Sequence, residues 1–287
     1  MVSVSIVFNL LHLVVAFFVK VESPKWLLME SEVDIAGEVL QRLRKVMDVT
    51  DEIDLLIRED KNKLHHSFRQ LCTSSNTNSF FVSLFVSIIQ QMSGATCIFL
   101  YIETILTFSG LPKDPSLDTL ASILTGVVSS IFVLMTFFSM VLVEIIGRKP
   151  LLIFGSFGMF LSLLSTGIFL KLNELEKLDP FLTGWLSIIA LIVYFTFYSV
   201  GWISIPCFLT SELFATENRA MAMSLSSLSN WIALTILYLL FIPLAQSLKG
   251  SVWMWVFSLF SLISGIFVAS VVPETSGRTV QKILNHW

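Results

Sequence analysis

FFVSLFVSIIQQMSGATCIFLYIETILTF, residues Phe80–Phe108, holds a single charged side chain, Glu103, in 29 positions. The hydrocarbon core of a bilayer is ~30 Å thick and is crossed by about 20 apolar residues of helix. The run is therefore long enough to span a membrane. Midway along it the apolar pattern is interrupted by Gln90, Gln91, Ser93 and Thr96. Gln90 lies ten residues in from Phe80, roughly 15 Å at a rise of about 1.5 Å per residue, near the bilayer midplane. Polar groups at that depth are expensive, and each needs a partner or a task.

Outward from this stretch the pattern recurs. Further apolar segments are Val2–Val19, Ala121–Val143, Leu151–Leu170, Leu182–Leu209, Ala220–Phe241 and Val252–Val272. The reading is an all-α, polytopic membrane protein of about seven transmembrane helices. Composition agrees: 55% of the 287 residues are hydrophobic and 14% charged, against about 25% charged in soluble domains. Mean hydropathy is +0.82. The first segment lacks a basic residue before its apolar run and a small-residue cleavage site, and Lys20 follows it. That predicts a retained helix, not a signal peptide.

Charge position sets orientation. With the N-terminus outside, the loop Lys20–Ser79 and the later inner segments together hold 14 Lys and Arg residues, and the outer loops hold 4. The C-terminus then lies in the cytoplasm. The expected organisation is residues 1–19 as one helix, 20–79 as a cytoplasmic loop, 80–272 as a six-helix bundle and 273–287 as a tail. Within the loop, Ser31 and Asp34 resemble a capping box ahead of Ala36, Val39, Leu43 and Met47 at helical spacing. Asp51–Leu64 predicts a second short amphipathic helix. His65 and His66 read as solvated side chains.

Several classes of function are excluded. No basic patch supports nucleic-acid binding, and no nucleophile–base constellation supports an enzyme. Cys72, Cys97 and Cys207 read as free thiols. No cofactor or metal is implied.

The intramembrane polar residues carry the chemistry. Gln90, Ser93, Gly94, Cys97 and Tyr101 follow i, i+3, i+4, i+7, i+11, a polar and small stripe on one helical face. Ser227, Asn230 and Trp231 stack likewise, with Asn230 eleven residues from Arg219, so two carboxamide clusters share a depth. Carboxamides donate and accept without charge, which suits a neutral polyol; the same residues also bond helix to helix. Pro206 takes the amide hydrogen from the helical partner of the Trp202 carbonyl, which predicts a kink or break. Glu144 with Arg148, and Glu212 with Arg219, are expected to pair across short turns.

These patches together resemble the sugar-porter branch of the major facilitator superfamily. ESPKWL (Glu22–Leu27) is similar to that family's PESPRWL, QQMSGATCIFLY (Gln90–Tyr101) to QQxSGxNxxxYY, and EIIGRK (Glu144–Lys149) to its D/E-x-x-G-R-R/K loop. SELFATENR (Ser211–Arg219) with SNW (Ser229–Trp231), and PETSGRT (Pro273–Thr279), resemble two further signatures. The style is most like insect facilitated trehalose transporters. The resemblance implies two six-helix bundles about a central sugar site, with this chain supplying the last helix of the first bundle and all of the second. It implies that Gln90 and Gln91 bond sugar hydroxyls with Thr96 and Asn230 nearby. It also implies that Glu144, Arg148, Glu212 and Arg219 form a cytoplasmic latch with a missing N-terminal bundle. Partners would be a sugar and the lipid bilayer. Departures are Thr96 for Asn, Leu100 for Tyr and Cys207 for Trp. The expected activity is facilitated diffusion of a hexose or trehalose, with this chain truncated and inactive alone. The alternative is a non-transporting sugar sensor or interaction subunit. A seven-helix receptor is disfavoured by the 60-residue first inner loop and leaves the motifs unexplained.

Overall fold

The structure, a computed structural model, describes residues 9–15, 22–30, 32–46, 48–50, 52–54, 56–57, 74–100, 102, 116–214, 216–247 and 249–275. The chain forms two compact units, Met1–His66 and Ser67–Trp287.

In the first unit, residues 9–15 are helical; the rest of the expected Val2–Val19 helix lies outside the described residues. Helix α1 (Pro24–Met29) starts where Ser23 Oγ accepts the Trp26 amide at 3.1 Å, with proline in the first turn. Helix α2 (Val33–Arg44) buries Ala36 and Leu40 and stops at Lys45, whose φ is 57°. Two expectations change here. Glu32 holds the cap position with no side-chain cap bond, Ser31 being outside the described residues, and Leu43 is exposed. Residues 52–54 and 56–57 are helical, while the remainder of Asp51–Leu64, with His65 and His66, lies outside them. Arg44 pairs with Glu52 at 2.7 Å.

The second unit is a bundle of α3 (Ser74–Met92), α4 (Ala95–Leu100), α5 (Ser116–Ile146), α6 (Arg148–Glu174), α7 (Pro180–Gly201), α8 (Ile205–Leu213), α9 (Thr216–Ser247) and α10 (Gly250–Ser270). Among the described residues, six spans are long and apolar enough to cross a membrane, and the six later predicted segments fall on them. Two spans are broken helices. Thr77–Leu100 joins α3 to α4 and Pro180–Leu213 joins α7 to α8.

Helix starts follow local chemistry. Asp179 accepts the Phe181 amide ahead of Pro180 to begin α7. Gly147, at φ 97°, separates α5 from α6, a conformation that costs glycine little. The core centres on Tyr194, Phe195, Trp202 and Phe257, all essentially inaccessible. Helix α6 packs against α7 and α10 and approaches α7 through small residues. A side chain at Gly201 would begin 3.0 Å from the Leu151 carbonyl oxygen and 3.3 Å from the Gly155 Cα. Burial is uneven: more than half of Thr77–Leu100 is buried, but only a minority of Ser122–Ile146 and of Asn218–Phe241. The last two therefore carry broad faces that this bundle does not cover.

Candidate functional site: a carboxamide cluster at two helix breaks

The α7–α8 break forms where Pro206 predicts it. Residues 202–204 are turn, and Gly201 ends α7. The Trp202 carbonyl, deprived of an amide at position 206, accepts Gln90 Nε2 at 2.6 Å. The Trp202 ring is anchored separately, its Nε1 donating to Ser156 Oγ at 2.8 Å. Val200 O accepts Ser139 Oγ from α5 at 2.7 Å.

The second break lies in the Gln90 span itself. Gly94 has φ 84°, and its missing side chain admits the Phe257 ring, 2.5 Å from where a Cβ would stand. Ser93 O accepts the Tyr194 hydroxyl at 3.0 Å. The expected stripe Gln90–Tyr101 is thus not one continuous helical face, because the chain changes direction at Ser93–Gly94. Cys97 is buried and Leu100 exposed, and Tyr101 lies outside the described residues.

Between the breaks the predicted carboxamides meet. Asn230 Nδ2 donates to Gln90 Oε1 and to Ser87 O, each at 2.9 Å. Gln91 Nε2 donates to Asn230 Oδ1 at 2.8 Å, and Thr96 Oγ1 donates to Gln91 Oε1 at 3.0 Å. All four residues share one network, but in two rows. Gln90 and Asn230 line a cleft of about 160 Å³ with Pro206, Cys207, Thr210 and Trp231; Gln91 and Thr96 do not. An amide NH2 has two donors and its oxygen two lone pairs. Tyr198 also takes a hydrogen bond from the Gln90 side chain, so by that count Gln90 retains one acceptor and Asn230 retains one acceptor.

The charged residues gather elsewhere, and their pairing differs from expectation. Arg148 Nη2 bonds Glu212 Oε1 at 2.7 Å, and Thr275 Oγ1 donates to the other Glu212 oxygen. Glu144 stands exposed. Arg219 is partly buried, its Nε without a hydrogen-bond partner among the described residues. Each expected pair straddles an interruption of the backbone, at Gly147 and at the extended Phe214, and both Glu212 oxygens are taken by Arg148 and Thr275. Glu274 accepts the amides of Arg148 and Lys149 at 3.1 and 3.2 Å, capping α6 from outside.

Sequence reasoning missed Ser139, Tyr194 and Ser87. Ser87 was findable, three residues before Gln90 on the same face. Ser139 and Tyr194 stand in unbroken apolar runs with nothing to mark them. Among the described residues, no group of three or more His, Cys, Asp or Glu side chains converges to hold a metal ion.

Comparison with known proteins gives this architecture its place. The chain is 29% identical over 266 residues to the facilitated trehalose transporter Tret1 of Bombyx mori, covering 91% of this chain and 51% of that protein. It is 32% identical over 267 residues to the solute carrier family 2 facilitated glucose transporter member 3 of Rattus norvegicus, covering 91% and 52%. The chain spans about half the length of the curated relatives it matches. The solved structure of the proton:xylose symporter XylE with 6-bromo-6-deoxy-D-glucose superposes with a TM-score of 0.72 at 21% identity, over 97% of this chain and 56% of that one. The fold is therefore the major facilitator fold in part, and the chain is a multi-pass membrane protein. Because the "Sugar (and other) transporter" family model matches residues 1–287 throughout, the chain belongs to that family.

Proposed function

We propose that this chain forms one wall of a path for a neutral sugar, a hexose or trehalose, moved by alternating access as facilitated diffusion. The observation that carries the reading is the hydrogen-bonding capacity left at the cleft. Gln90 and Asn230 each keep one acceptor, with no charge between them. A pair of neutral acceptors fits the donor side of sugar hydroxyls. Trp231, 65% exposed beside Asn230, offers an aromatic face, which compensates in part for Cys207 where the family pattern has Trp. Gln91 and Thr96 act from behind, by orienting Asn230 and each other. The cleft of about 160 Å³ is well below the ~300–1,000 Å³ of sites that enclose a small ligand. A companion bundle therefore closes the site, against the uncovered faces of α5 and α9, and this chain alone binds sugar without carrying it across. Glu144, Arg148, Glu212 and Arg219 belong to a latch on the cytoplasmic side, in a plasma-membrane protein with its N-terminus outside and its C-terminus inside.

The test is equilibrium binding of radiolabelled glucose and trehalose to the purified chain in lipid nanodiscs, with flux measured in proteoliposomes. Gln90→Ala removes one neutral hydrogen bond to the sugar and is expected to weaken binding roughly fivefold. Undiminished binding by Gln90→Ala, or flux through the chain alone, would overturn the reading. The non-transporting sensor is favoured by one feature, the replacement of a stacking aromatic by Cys207. It predicts binding without flux even when a companion bundle is supplied.

A further inference from the structure

The α7–α8 break exposes more backbone than Pro206 accounts for. Proline removes only the amide that would answer Trp202. Two residues earlier, the Trp202 and Ile203 amides both return to Tyr198 O, at 2.8 and 3.1 Å, so the hydrogen-bond register slips by one at this point. The helical partner of the Val200 carbonyl is the Ser204 amide, which lies in the turn. It is Ser139 Oγ that meets the Val200 carbonyl, at 2.7 Å.

Ser139 differs from its neighbours on α5. Ser129, Ser130 and Thr136 turn their hydroxyls back onto carbonyls of their own helix, the ordinary resort of a hydroxyl in a membrane helix. Ser139 is 1% exposed and reaches across to α7. Beside it, a cavity of about 320 Å³ is lined by Ser139, Val143, Glu144, Arg148, Ser204 and Glu212. The backbone at Ser204 therefore has room to move.

We infer that Ser139 is a positioning residue for the Gln90 site, holding the α7–α8 break open by occupying the Val200 carbonyl. Without the hydroxyl, Val200 O is released to the Ser204 amide and the turn at 202–204 tightens into helix. The Trp202 carbonyl then rotates away from Gln90, and the glutamine, still held by Tyr198 and Asn230, loses one of the contacts that aim it at the cleft. Ser139 never touches the substrate. Its effect passes through two backbone carbonyls, Val200 and Trp202, to one side-chain amide. The sugar-affinity part of the inference rests on the function proposed above, whereas the structural part does not.

The experiment observes Gln90 directly. The full chain, labelled with 15N-glutamine and held in lipid nanodiscs, gives side-chain amide resonances, that of Gln90 being identified by its loss in Gln90→Asn. Ser139→Ala is expected to displace the Gln90 resonance and leave that of Gln41, in the other unit, in place. Ser139→Thr, which keeps the hydroxyl, restores it. Should Ser139→Ala not fold, Ser139→Cys keeps the shape with a weak donor, and an intermediate displacement is expected. A Gln90 resonance unmoved by loss of the hydroxyl, or moved equally by Ser139→Thr, overturns the inference. Glucose or trehalose affinity should fall about fivefold in Ser139→Ala, the equivalent of one neutral hydrogen bond. If the resonance moves as expected but the unsubstituted chain binds neither sugar, the positioning role stands and the sugar reading falls.

Discussion

Pro206 and Gln90 act on the same atom, the Trp202 carbonyl oxygen, one by withholding a donor and the other by supplying it at 2.6 Å. A double-mutant cycle on Pro206→Ala and Gln90→Ala isolates this relation. In the presence of proline, removing the glutamine leaves a carbonyl without its donor inside an apolar bundle, at a cost of about 1–3 kcal/mol. With alanine at position 206 a backbone amide becomes available to Trp202, and removing the glutamine costs less. The loss of the Asn230 contact at Gln90 Oε1 occurs in both backgrounds and cancels. So does the effect of proline on the unfolded chain. Side-chain hydrogen bonds measured between membrane helices average ~0.6 kcal/mol and reach ~1.7, so the expected coupling is about 1 kcal/mol. Its sign is fixed: Gln90→Ala is the more damaging with Pro206 in place. Reversible unfolding in mixed detergent micelles, followed by circular dichroism, gives the four free energies. Additivity within ~0.3 kcal/mol, the spread of independent sites, would refute the claim that Gln90 answers the proline.

Two other outcomes follow from close contacts. Gly201→Ala sets a Cβ 3.0 Å from the Leu151 oxygen and 3.3 Å from the Gly155 Cα, both backbone, and should destabilise the bundle by about 1–3 kcal/mol. Gly126→Ala, with nothing within 4 Å of the new carbon, should be neutral or stabilising by up to ~1 kcal/mol; equal melting temperatures for the two would contradict the packing described. Glu274→Gln removes the charge that caps the α6 amides of Arg148 and Lys149, worth about 1 kcal/mol. Hydrogen exchange at those two amides should quicken, and unchanged rates would show that the contact carries no energy.

What the sequence discloses here is what covalent structure and length enforce. A run such as Phe80–Phe108 reads as a spanning segment because the bilayer sets the length, and Pro206 points to the Trp202 carbonyl because the missing hydrogen is part of the residue. Depth is nearly as legible, since rise per residue brings Gln90 and Asn230 to one level. The partners of those side chains are not. Gln91, one position and some 100° round the helix from Gln90, takes Asn230 from the side away from the cleft. Charge pairs misled for a related reason. Glu144 and Arg148 are four apart in sequence, but the positive φ of Gly147 starts a new helix between them, and Glu212 from α8 takes the arginine.

The two breaks hold each other in place. Helix α7 sends the Tyr194 hydroxyl to the Ser93 carbonyl at the α3–α4 break, and α3 returns the Gln90 amide to the Trp202 carbonyl at the α7–α8 break. Each break exposes a carbonyl that cannot be left bare in an apolar surrounding, and each is covered by a side chain from the other broken span. The carboxamide that offers an acceptor to the cleft is therefore the one that satisfies the backbone beneath it. Cleft lining and helix geometry share one side chain, and α8, which starts at that break, carries both Thr210 of the cleft and Glu212 of the ion pair. A change in how Gln90 is bonded must alter the constraint on Trp202, and α8 is the segment on which that change bears first.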